Sequence, residues 1–140
     1  MTTDMPSATP EPMPGLILVG HAGLPEALLA AARHVIGALV RPTRIISVSA
    51  KDDPEGVERD VAAAIDALDS GAGVLILIDV MGATPYRIAH AAAQNRDRVA
   101  LVTGANLAML IRSYNYPGMS LAELAESAVA AGQRSVARVH

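Results

Sequence analysis

The sequence predicts an α/β domain with a doubly wound, mainly parallel sheet, and three observations support this. Short apolar runs alternate with stretches of helical periodicity, the pattern of strand–helix–strand units. The runs lack polar alternation, as strands buried on both faces do. The chain has 140 residues, enough for one layered core and too few for two.

Leu16–Val19 is a continuous apolar run that Gly20 ends, so it reads as a buried first strand. Leu24, Leu28, Ala32, Val35 and Leu39 then recur at helical spacing, with Pro25 suited to a first turn. Arg44–Ser49 (RIISVS) is a second strand. Asp52 and Asp53 before Pro54 and Glu55 mark a helix start, and Val57, Val61, Ala64 and Leu68 form its apolar stripe. Val74–Ile78 (VLILI) gives the strongest strand signal. Thr84-Pro85 reads as N-cap and first residue of a helix to about Asn95. Val99–Val102 is a fourth strand, followed by a short helix over Leu107–Ser113. Ser120 and Glu123 form a capping box for a last helix that Gly132 ends. The tail, Ser135–His140, is a candidate for one more strand.

Composition narrows the function. Hydrophobic residues make up 51% of the chain but aromatics only 2%, so Leu, Ile, Val, Ala and Met must fill the core. Net charge is −3, which leaves no broad basic surface for nucleic acid. Without cysteine there is no disulfide, thiolate metal site or cysteine nucleophile, which suits a cytoplasmic setting. Residues 1–14 hold four prolines and lack the basic start and apolar core of a signal peptide. They read as a disordered leader to a domain spanning residues 15–140. No apolar run approaches the roughly 20 residues that span a bilayer, so no direct membrane insertion is expected.

In an open α/β sheet, ligands bind beyond the carboxyl ends of the strands, where strand order reverses. His21 follows the first strand, Asp79 the third, and Thr103-Gly104-Ala105-Asn106 the fourth. If the order is 2-1-3-4, His21 and Asp79 share one rim. A carboxylate that accepts an imidazole Nδ1–H fixes the tautomer and leaves Nε2 with a free lone pair. A free imidazole titrates near pH 6.5, so such a ring is a nucleophile near neutrality without a separate base. Gly82 and Ala83 allow close backbone approach, and Thr84-Pro85 opens a helix whose N–H groups favour an anion. Nucleophilic nitrogen, orienting carboxylate and anion-binding loop together make a phosphate station.

Other residues read more plainly. His34 and His90 lie in helical stretches as surface or packing residues, and no carboxylate stands at metal-ligand spacing from them. Thr84 suits a helix cap and a phosphoryl contact, the cap being favoured. Asn106 fits a pocket wall and a turn equally well. Met81 offers adaptable apolar contact to a protein partner. Arg87 either adds positive charge near a phosphate or faces water.

At these residues the chain resembles the mannose-type IIA family of the bacterial sugar phosphotransferase system. Three ordered blocks carry the likeness: LILVGHAGLPEALLAAARHVIG (Leu16–Gly37), GVLILIDVMGATPYRIA (Gly73–Ala89) and LVTGANLAMLI (Leu101–Ile111). Ala83 stands where the family usually has Gly, Met81 where an aromatic is common, and Gly20 where Thr can occur. The resemblance implies a four-stranded parallel sheet and a homodimer in which the C-terminal strand pairs with the partner subunit. It implies that His21 accepts phosphate on Nε2 from the phosphohistidine carrier HPr. Asp79 would hold Nδ1, the Gly82–Pro85 loop would bound the site, and a IIB component would be the acceptor. Neither a metal nor an organic cofactor is implied.

Three other readings compete. The same histidine could serve a regulatory switch acting on another protein, since a phosphoryl group adds charge and acceptor oxygens to a surface. The chain could be the phosphoryl donor subunit of dihydroxyacetone kinase, against which Thr84-Pro85 after Asp79 argues. A flavodoxin-like binding module without covalent chemistry leaves the coincidence of His21, Asp79 and the loop unexplained.

Overall fold

The computed structural model describes residues 11–140. Four parallel strands form one sheet in the order β2-β1-β3-β4. They are β1 (Gly15–His21), β2 (Thr43–Val48), β3 (Val74–Ile78) and β4 (Val99–Thr103). The helices are α1 (Leu24–Ile36), α2 (Pro54–Leu68), α3 (Thr84–Ala93), α4 (Leu107–Asn115) and α5 (Leu121–Arg134). The doubly wound α/β class and strand order are those the sequence predicts. Most of the predicted leader, residues 1–10, lies outside the described residues. At its end the Pro14 carbonyl accepts a 2.7 Å bond from the buried Arg41 guanidinium.

Side-chain alternation along the central strands divides the core into two layers. Ile17, Val19, Ile76 and Ile78 face Val61 and Ile65 of α2 and Ile88 and Ala89 of α3. Leu16, Leu18, Leu75 and Leu77 face Leu29 of α1, Leu110 of α4 and Leu124 of α5. β3 is buried throughout, which is why its sequence shows no polar alternation. Each fully buried Leu or Ile contributes on the order of 2 kcal/mol by leaving water.

Several boundaries shift for local reasons. α1 stops at Ile36 because Gly37 adopts φ +79 and its N–H bonds the Arg33 carbonyl. α3 stops at Ala93, with Asn95 in the left-handed region at φ 62. α5 runs past Gly132 to Arg134. Gly132 is a close-packing residue there: a Cβ would stand 2.7 Å from Met109 Cγ. The tail after α5 forms no strand within the single chain, and Val136 and Val139 are 78% and 83% exposed. Among the described residues, no helix is long and apolar enough to cross a membrane.

Candidate functional site

The chain leaves β1 for β2 on one side and returns to β3 on the other, so strand order reverses between β1 and β3. His21 ends β1, and Asp79 is the first residue after β3. Parallel register aligns Val19 with Ile78, which brings the two residues side by side at the carboxyl rim.

Asp79 binds His21 twice through one oxygen. Oδ2 lies 2.6 Å from His21 Nδ1 and accepts the His21 backbone N–H at 2.9 Å. The other oxygen, Oδ1, accepts the Val80 N–H at 2.8 Å. Burial pushes the Asp79 carboxyl up. Hydrogen bonds from the His21 amide, the His21 ring and the Val80 amide outweigh that and hold it below the usual carboxylate range. An ionised carboxylate only accepts, so the ring Nδ1 donates to it, and any lone pair the ring offers is on Nε2. The carboxylate side chain is 7% exposed and the imidazole 56%, so the acid is shielded while the ring remains open to a partner. Glu26, in the first turn of α1, is engaged elsewhere: Ser47 Oγ lies 2.6 and 2.7 Å from its two oxygens.

Gly20 packs closely against the pair. A Cβ at that position would stand 3.1 Å from the Asp79 carboxyl and 3.1 Å from Pro25 Cγ. A side chain there would require Asp79 or Pro25 to shift by a few tenths of an ångström.

His21 opens onto a cleft of about 420 Å³, which it shares with Thr84, Pro85 and Ile88 of α3 and with Ser49 and Asp52 after β2. Thr84 and Pro85 thus join His21. Gly82 and Ala83 do not line the cleft. Gly82 makes the bend at φ +83, a conformation that favours glycine, while Ala83 at φ −82 carries its methyl without strain. Thr84 is not the N-cap. Ala83 holds that place because its carbonyl accepts the Arg87 N–H at 3.1 Å, so the helix starts one residue earlier. The Thr84 hydroxyl instead accepts from Arg87 Nη2 at 3.2 Å.

Asn106 is a helix cap: its side chain accepts the Met109 N–H at 3.1 Å. The Ser49–Asp52 turn was missed by the sequence reading. There the Asp52 carboxylate accepts the Ser49 N–H at 2.8 Å. It follows β2 at the same rim, so the rule that singled out the other three loops would have found it. Among the described residues, no group of three His, Asp or Glu side chains could hold a metal ion.

Fold and rim together define a parallel α/β domain whose exposed histidine is held by a shielded carboxylate where strand order reverses. The family described as "PTS system fructose IIA component" matches residues 15–129. The chain therefore belongs to this IIA family of the sugar phosphotransferase system. Among solved structures it is similar to the mannose/sorbose-specific IIA subunit of the phosphotransferase system from Enterococcus faecalis. That match has 30% identity and a TM-score of 0.81, covering 91% of this chain and 96% of that one. It is also similar to the PTS IIA protein associated with the fucose utilization operon of Streptococcus pneumoniae. There identity is 25% and the TM-score 0.77, with 91% and 93% of the two chains covered. The phosphotransferase system component EIIA from Streptococcus agalactiae shares the fold at 19% identity and a TM-score of 0.75, over 90% and 97% of the chains.

Proposed function

We propose that His21 is a phosphoryl carrier, accepting phosphate from HPr and passing it to a IIB component. The contact between His21 Nδ1 and Asp79 Oδ2 supports this reading above all, because it directs Nε2 outward as the nucleophile. The Nε2 lone pair forms a bond to phosphorus while the N–P bond of the donor phosphohistidine breaks. The electron pair of that bond returns to the donor ring. Asp79 offsets the positive charge that develops on the His21 ring. Thr84, Pro85 and the start of α3 bound the phosphoryl group, with Gly82 and Ala83 shaping the turn that leads to them.

The test is incubation with HPr, its upstream kinase and labelled phosphoenolpyruvate. Acid-labile, alkali-stable label is expected in the wild type and none in His21→Ala. Label retained in that variant would remove His21 as the acceptor.

A homodimer formed by exchange of the tail belongs to the same reading. Exposed Val136 and Val139 and the exposed Val129 on α5 leave apolar surface for a second copy to cover.

A further inference from the structure

Arg87 stands in an electrostatically unusual place. The N-cap of α3 has no side-chain hydrogen bond, and its first turn has no acidic residue. Arg87, just beyond Pro85 and Tyr86, instead adds a cation near the positive end of the helix dipole. Its guanidinium bends back over the turn. Nη1 donates to the Gly82 carbonyl at 2.7 Å, and Nη2 donates to Thr84 Oγ1 at 3.2 Å.

Both bonds have directional consequences. Gly82, at φ +83, lacks a side chain to restrain its peptide, so the guanidinium sets the orientation of that carbonyl. The C=O and N–H of a trans peptide point in opposite directions, so the Ala83 N–H is aimed away from Arg87. Thr84 has one O–H proton and two lone pairs. With a lone pair occupied by Arg87, the hydroxyl keeps its proton for another acceptor, and Thr84 lines the cleft with His21.

We propose that Arg87 is a positioning residue for phosphoryl transfer, holding the Gly82–Thr84 turn so that the Thr84 hydroxyl donates to the phosphoryl group arriving at His21. This rests on the reading of His21 as acceptor. Arg87 acts through Thr84 and touches no reacting atom.

A double-mutant cycle tests it, with transfer from phosphorylated HPr measured in wild type, Arg87→Ala, Thr84→Val and the double variant. In Arg87→Ala, kcat is expected to fall about tenfold, the worth of one charge-assisted hydrogen bond. KM for phosphorylated HPr and the thermal midpoint should stay at their wild-type values. In the Thr84→Val background, removing Arg87 should cost less than about twofold, because the group it acts through is gone. Unchanged kcat in Arg87→Ala, a rise in KM alone, or full additivity with Thr84→Val would overturn the inference. Wild-type protein that takes no label on His21 would instead sink the phosphocarrier reading, and this inference with it.

Discussion

His21 and Asp79 are joined at two points by one carboxylate oxygen, 2.6 Å from the ring Nδ1 and 2.9 Å from the backbone N–H of the same histidine. The acid thus orients the ring and anchors the end of the strand that carries it. One side chain thus holds both the imidazole and the local backbone.

Asp79→Asn keeps the shape and an acceptor oxygen but removes the negative charge. Phosphoryl transfer should slow on the order of 10²-fold, the typical scale for a charge that acts in the transition state. The circular dichroism spectrum should remain that of the folded domain. Wild-type transfer kinetics would show that Asp79 plays no part in the reaction.

The pH dependence of stability follows from the same carboxylate. Its folded value is held low, so its hydrogen bonds contribute fully above about pH 4, where an unfolded carboxylate titrates. That contribution disappears as pH falls through the lower, folded value. Asp69 adds to the effect with the same sign, lowered first by its Arg98 side-chain bond and then by the Gly71 amide. Urea midpoints should be steady near neutrality and drop below about pH 4, less steeply in Asp79→Asn. Equal slopes for the two proteins would mean that Asp79 is no more stabilised as an anion in the folded chain than in the unfolded one.

Gly73→Ala tests a position remote from the rim. Gly73 adopts φ +89, and a Cβ there would stand 2.7 Å from the Arg98 carbonyl, which itself accepts the Val74 N–H. Strain and backbone overlap together should cost about 3 kcal/mol of unfolding free energy, read from denaturant melts. The fraction that stays folded should transfer phosphate at the wild-type kcat, since the site lies at the other end of β3.

Deleting Ser135–His140 tests strand exchange. Sedimentation should show a dimer for the full chain and a monomer for the truncated one. A dimer that survives the deletion would place the subunit contact elsewhere.

Most of the fold was legible along the chain. The continuous apolar run VLILI, the RIISVS run and the periodic helical stripes depend only on local geometry and on which faces must leave water. The capping box was legible too, because Ser120 and Glu123 exchange bonds over three residues: Glu123 N–H to Ser120 Oγ at 3.2 Å, and Ser120 N–H to Glu123 Oε1 at 2.9 Å. Gly132 misled for the opposite reason. A glycine that stops a helix and one that admits a neighbour look alike in sequence, and only the approach of Met109 distinguishes them.

By itself, the sequence determined the strands, the helices, the parallel α/β class and the residues that follow each strand. These depend on hydrophobic periodicity and turn chemistry within a few residues. Tertiary structure alone decided that Asp79 Oδ2 meets the backbone nitrogen and the ring Nδ1 of His21, that Gly20 packs closely against that carboxyl, and that Arg87 folds back onto Gly82 and Thr84. Hydrogen bonds of this kind depend on strand register and on space between segments. Residues 58 apart in the chain meet only once the sheet has formed.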